Sequence, residues 1–80
     1  MDRPSSMHID ARGLKCPRPI VELAKAKRQG SPGDEVEIVA DDLAFESDVA
    51  AWCETTGSDL LTLEHGDACL IARIRFGGPN

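Results

Sequence analysis

Apolar and polar residues alternate along two stretches of the chain. Met7, Ile9 and Ala11 are interleaved with His8, Asp10 and Arg12, and Val36, Ile38 and Ala40 with Glu35, Glu37 and Val39. A period of two belongs to a β-strand with one buried face, so each stretch predicts a strand. Between them, after Gly13, the period becomes helical from Pro17 to about Gln29. Ile20, Leu23, Ala24 and the stem of Lys27 share one face, while Glu22, Lys25 and Arg28 lie away from it. Pro17 suits the first helical position, where its missing N–H would have no partner, and Pro19 is tolerated within the first turn. Gly30 is expected to cap this helix in the left-handed conformation, with Ser31-Pro32-Gly33-Asp34 as the following turn.

Beyond the second strand, Asp42 is the expected N-cap of a helix from about Leu43 to Thr56, ended by Gly57. Its apolar stripe is Phe45, Val49, Trp52 and Cys53. A third strand is read near Leu60 to Glu64, a hairpin turn at His65-Gly66-Asp67, and a fourth strand from Ala68 to Phe76. In the last strand Leu70, Ala72, Ile74 and Phe76 point one way, and Cys69, Ile71, Arg73 and Arg75 the other. Two helices cover one face of a four-stranded sheet. The β-α-β-α-β-β order therefore predicts an α+β fold, a two-layer sandwich with a mixed sheet and a partly polar open face. One domain is expected over residues 7–76, with polar tails at 1–6 and 77–80.

Composition narrows the function. The 80 residues carry a formal net charge of −5, which weighs against phosphate-backbone binding. With no Tyr, two Phe and one Trp, a base-stacking platform is not expected, so direct nucleic-acid binding is set aside. Apolar runs are too short to span a membrane, and the first residues lack the apolar core of a secretory signal. A cytoplasmic protein is expected. Cys16, Cys53 and Cys69 cannot all pair within one chain, and reduced thiols are the reading for a reducing compartment. There is no Cys-x-x-Cys, and His8 and His65 lack the close spacing of a structural zinc site. Neither metal nor cofactor is expected, and a monomer is favoured.

One residue concentrates the candidate chemistry. Cys16 follows a strand, is placed by the pattern at the N-cap of the first helix, and is surrounded by Arg12, Lys15 and Arg18. A helix N-terminus offers free N–H groups, here those of Arg18 and Ile20, and a positive dipole end. Together with the cations these should favour the thiolate. Pro17 and Pro19 stiffen the turn that presents the sulfur. The plain alternatives are a solvated turn with scattered charges, or a cysteine acting as a small buried hydrophobe. Cys53, beside Trp52 on the apolar stripe, reads as a packed, inert thiol. Cys69 reads as an incidental residue of the open face, with a resolving role for Cys16 as the other option. Asp10, Asp41, Asp42 and Asp48 are the acids considered for more than solubility, and Asp10 is expected to pair with Arg12 or Arg73.

The segment Asp10-Ala11-Arg12-Gly13-Leu14-Lys15-Cys16-Pro17-Arg18-Pro19-Ile20 resembles the Cys-Pro-x-Pro signature of the TusA/SirA-like sulfur-carrier family. Pro32-Gly33, Ala40-Asp41-Asp42, Asp48-Val49, Trp52-Cys53 and Thr56-Gly57 extend the likeness across residues 7 to 76. The resemblance implies a two-layer sandwich of the same element order. It also implies that Cys16 accepts sulfane sulfur as a persulfide, with Pro17 and Pro19 as its rigid frame and Arg12, Lys15 and Arg18 in support. Implied partners are a donor of the cysteine desulfurase or rhodanese type and an acceptor protein. In the family, acceptors serve tRNA thiolation, molybdenum-enzyme maturation or sulfur oxidation. The resemblance implies a sulfurtransferase-like persulfide carrier rather than a stand-alone enzyme. Two positions depart from the pattern: Arg18 stands where tRNA-thiolation members carry Glu, and Leu43 replaces a proline common after the Asp pair. The alternatives are a thiol-based redox or regulatory protein and a non-catalytic protein-interaction module.

Overall fold

A computed structural model describes residues 6–77, without the side chain of Ser6, so most of the two expected tails lies outside the described residues. The elements are β1 (Ser6–Ala11), α1 (Arg18–Gln29), β2 (Glu35–Ala40), α2 (Phe45–Thr56), β3 (Asp59–Gly66) and β4 (Cys69–Arg75). They form one four-stranded sheet in the order β1-β2-β4-β3. β1 and β2 run parallel, whereas β4 is antiparallel to both β2 and β3, so the sheet is mixed. The expected α+β two-layer sandwich is the architecture observed.

The alternating pattern becomes burial. Val36, Ile38 and Ala40 of β2, Ala72 and Ile74 of β4, and Ala11 at the end of β1 are sealed beneath the helices. From α2 come Phe45, Val49 and Cys53, and Phe76 closes the core with its ring 6.4 Å from Trp52 in an edge-on arrangement. Each fully buried large side chain contributes about 1.5–3 kcal/mol of transfer free energy. The opposite face is polar, with His8 against Glu37, Arg73 against Glu35 and Arg75 against Asp59. Exposed pairs of this kind contribute little stability, about 0–1 kcal/mol each. Among the described residues no helix is long and apolar enough to cross a membrane.

Several expectations shift. The buried face of α1 is Pro19, Leu23 and Ala26, with Ile20, Ala24 and Lys27 only half-buried, so the helix is rotated toward Ala26. Pro19, in the first turn of α1, fills a core position. Gly30 is not left-handed: it is extended at φ −96°, and a Cβ there would lie 3.1 Å from both Asp34 Oδ2 and Met7 Cε. Close approach, rather than a left-handed cap, explains the glycine. Gly57 does take the left-handed conformation at the end of α2, with φ 73°. The third strand is longer than expected, and the hairpin tightens to Asp67-Ala68, because Gly66 pairs with Cys69. Ala68 adopts φ 56° to make that turn. The fourth strand correspondingly begins at Cys69 and ends at Arg75.

Candidate functional site around Cys16

Because β1 and β2 are parallel, their C-terminal ends leave the sheet side by side, Ala11 opposite Ala40. The loop after β1 carries Cys16, and the loop after β2 carries Asp41 and Asp42. The second loop holds the first. Asp41 Oδ1 accepts the Gly13 N–H at 3.0 Å, and Asp42 Oδ2 accepts the Cys16 N–H at 3.1 Å. Gly13 has φ 86°, a turn conformation that suits glycine, and the Leu14 N–H closes back on the Ala11 carbonyl at 3.2 Å. Both aspartates thus act as side-chain acceptors for a loop about 28 residues away. Neither caps α2, which begins at Phe45 with Ala44 as N-cap and no side-chain cap bond. The expected N-cap role of Asp42 is therefore replaced by a tertiary one. Its carbonyl, not its carboxylate, meets the helix start, accepting the Phe45 N–H at 3.0 Å.

Cys16 also lies one residue further out than its expected position. The N-cap of α1 is Pro17, whose carbonyl accepts the first helical bond from Val21 at 3.0 Å. The Arg18 N–H, expected to face the sulfur, is spent on the Lys15 carbonyl at 2.7 Å. The Cys16–Pro17 peptide is cis. Cys16, Pro17, Lys15 and Arg18 are all exposed, whereas Pro19 is buried and anchors the turn to the core.

The sulfur has a partner that sequence reasoning did not assign to it. Cys16 Sγ donates to Asp48 Oδ2 at 2.9 Å. Asp48 lies one turn into α2. With Ala51, Trp52 and Thr55 it lines a shallow groove of about 330 Å³, whose other wall is Cys16, Pro17 and Ile20. The spacing Asp48, Ala51, Trp52, Thr55 is one helical stripe next to the buried one, and that stripe was the signal available in the sequence. A larger hollow of about 440 Å³ lies beside the site at the same end of the sheet, lined by Asp41, Asp42, Leu43, His65 and Cys69 among others. Leu43 is almost wholly exposed there, at 97%.

The electrostatics differ from the sequence expectation. The thiol is pushed up, not down. The first cause is its hydrogen bond to the Asp48 carboxylate, then partial desolvation, then the negative charges of Asp48 and Asp42. A carboxylate that accepts the S–H bond stabilises the neutral thiol, and its charge opposes a second anion beside it. The expected cationic neighbour Arg12 is engaged elsewhere. Its guanidinium forks onto Asp10 with two bonds of 2.9 Å, settling which partner Asp10 takes. That fork holds the Asp10 carboxyl down at about 2. Cys53, 4% exposed in the core, is pushed up to about 11 by burial. Cys69 is half-buried, and all three cysteines are free thiols. Among the described residues, no cluster of His, Cys, Asp and Glu is arranged to hold a metal ion.

Comparison with known proteins gives a consistent result. Residues 7–75 match the family model described as Sulfurtransferase TusA. The chain is 37% identical over 72 residues, 90% of its length, to "Putative sulfur carrier protein YrkF" of Bacillus subtilis (strain 168), and spans 39% of that relative. A "Putative sulfur carrier protein" of Aquifex aeolicus (strain VF5) is 33% identical over 67 residues, 84% of this chain and 34% of the relative. "Putative sulfur carrier protein YrkI" of Bacillus subtilis (strain 168) is 42% identical over 53 residues, 66% of this chain and 71% of that protein. The chain thus spans well under half the length of YrkF and of the Aquifex relative. Among solved structures, the crystal structure of a SirA-like protein from Desulfitobacterium hafniense superposes with a TM-score of 0.77 at 26% identity. That match covers 90% of this chain and 99% of the other. With nearly the whole sequence matched and the sandwich shared, this chain belongs to the TusA family of sulfurtransferases.

Proposed function

We propose that this chain is a sulfur carrier in which Cys16 accepts a sulfane sulfur as a persulfide and hands it to the thiol of a partner protein. The observation that carries the reading is the exposed Cys16 at the head of Cys16-Pro17-Arg18-Pro19, on a loop fixed by Pro19 in the core and by Asp41 and Asp42 through its backbone. In loading, Cys16–SH and a donor R–S–SH become Cys16–S–SH and R–SH. One S–S bond forms as one breaks, the thiol proton ends on the departing R–S⁻, and nothing is oxidised overall. Unloading is the same exchange with a partner thiol attacking the outer sulfur.

Such chemistry needs an accessible, stationary sulfur and a docking surface, and it needs no enclosed pocket. The open groove beside Cys16, lined by Ile20, Ala51 and Trp52 among others, fits that requirement. Pro17 frames the thiol from the N-cap, while the exposed Lys15 and Arg18 flank it where a partner arrives. Arg12 acts at one remove, through Asp10 at the root of the loop. In this reading residues 7–76 are the carrier unit and work as a monomer in the cytoplasm, where thiols stay reduced. The donor is a cysteine desulfurase or rhodanese-type protein. The acceptor belongs to tRNA thiolation, molybdenum-enzyme maturation or sulfur oxidation.

Incubation with inorganic polysulfide, followed by intact-mass measurement, tests the proposal. The parent is expected to gain a sulfur atom that is removed by dithiothreitol and absent in Cys16→Ser. No adduct on the parent, or an unchanged adduct in Cys16→Ser, would overturn it.

A further inference from the structure

The resting thiol is surrounded by the wrong charges for a ready nucleophile. Asp48 holds its proton at 2.9 Å, and Asp42 sits on its amide at 3.1 Å. The neighbouring Asp41 is occupied with Gly13, and Arg12 with Asp10. Lys15 and Arg18 flank the cysteine in the chain with exposed side chains, and among the described residues neither is bonded to the sulfur. The groups that act on the thiol are carboxylates from α2 and from the loop before it. Free in solution, Cys16 is thus a guarded thiol, although its function as a carrier requires it to attack.

We propose that Asp48 is a lock on the Cys16 proton, opened when a sulfur-donating protein brings an arginine or lysine side chain against the Asp48 carboxylate on the sulfur and the Asp42 carboxylate on the Cys16 amide. A lock of this kind rests on the carrier reading, since it matters only if Cys16 exchanges sulfur. The partner's cation competes for the Asp48 lone pairs, weakening the S–H···O bond, and offsets the negative field that opposes the nascent thiolate. The proton then leaves as the sulfur attacks and ends on the departing thiolate of the donor, so the exchange stays balanced. Charge complementarity selects the occupant. A chain of net charge −5, with one carboxylate on its reactive sulfur and another on the amide of the same residue, attracts a donor whose sulfur-bearing loop is cationic and repels an acidic one.

The lock is tested with a short synthetic peptide whose single cysteine is activated as a mixed disulfide with thionitrobenzoate, a coloured leaving group. One version is flanked by arginines and one by glutamates. With the parent at low salt, the arginine version is expected to react with Cys16 about tenfold or more faster than the glutamate version. In Asp48→Asn this ratio falls several-fold, while alkylation of Cys16 by iodoacetamide at neutral pH becomes several-fold faster than in the parent. Asp48→Glu, which keeps the carboxylate, restores the parental ratio. An unchanged ratio in Asp48→Asn, or no gain in its alkylation rate, overturns the lock. The parent alone supplies a second measurement, independent of whether any variant folds. An arginine peptide with serine in place of cysteine is expected to accelerate alkylation of Cys16, and no acceleration overturns the proposal. Failure of these tests leaves the polysulfide adduct on Cys16 intact, whereas failure of the carrier reading removes that adduct.

Discussion

Cys16 and Cys53 are both thiols whose proton is held more tightly than usual, and the reasons are opposite. At Cys53 the cause is burial: the sulfur sits 4% exposed among the aliphatic and aromatic side chains of the core, where a charge has no solvent. At Cys16 the main cause is a single carboxylate, on a thiol open to water. Burial cannot be reversed without unfolding. A neighbouring charge can be reversed by another charge. The same chain therefore holds one thiol that is permanently silent and one that is conditionally silent, and only the second suits exchange with another protein.

The largest difference expected between the two thiols is kinetic. Under native conditions Cys53 is expected to alkylate at least about a thousandfold more slowly than Cys16, because it reacts only through opening of the core. In concentrated urea the two rates should converge. Site-resolved mass spectrometry reads both, and comparable native rates would erase the distinction. Next in size is stability. Cys53→Ser places a hydroxyl in the apolar core and should cost about 1–3 kcal/mol by urea unfolding. Cys16→Ser should leave the transition unchanged.

Alkaline titration sharpens the same contrast. The folded Cys53 thiol ionises near 11 and an ordinary thiol at 9.0, so the unfolded chain gives up its proton first. The stability that burial of the neutral thiol provides is complete below pH 9.0 and is lost as pH rises toward about 11. Urea midpoints across that range should fall in the parent and fall less steeply in Cys53→Ala, where the raised Cys16 thiol still contributes. A smaller effect is expected at Asp42. Asp42→Asn keeps an acceptor for the Cys16 amide but removes a charge, so alkylation of Cys16 should rise by less than in Asp48→Asn. The smallest effect concerns Arg12. Arg12→Ala should return the Asp10 carboxyl from about 2 toward 3.8, seen by NMR titration, while the alkylation rate of Cys16 stays as in the parent.

The elements themselves were legible because burial follows period. Val36, Ile38 and Ala40 alternate in sequence and are sealed in the structure, and Phe45, Val49 and Cys53 recur at helical spacing and fill the core. Cys16 stood out by its flanking prolines. What sequence could not give was the neighbourhood of the sulfur, because that neighbourhood is assembled across chain separations of 26 to 32 residues. Arg12, Lys15 and Arg18 are near Cys16 along the chain, and proximity in sequence suggested cations where the fold supplies carboxylates. Asp42 reads locally as a helix start, although its side chain and that of Asp41 reach to the other loop. Local capping rules see only the residues that follow. They cannot see a parallel strand arriving alongside.

That parallel pairing has a consequence for how freely the chain can change length. Asp41 meets Gly13 and Asp42 meets Cys16 only because Ala40 lies opposite Ala11. Inserting or deleting one residue in either strand would slide the two loops past each other by about 3.3 Å and turn every side chain beyond it to the other face. The acidic residues would then clasp the wrong amides, and the sulfur would lose its place above the second helix. Substitutions can drift on the outer surface of this protein, but between Ser6 and Asp48 the spacing of the chain works as a ruler, and its marks leave no room for indels within the two strands.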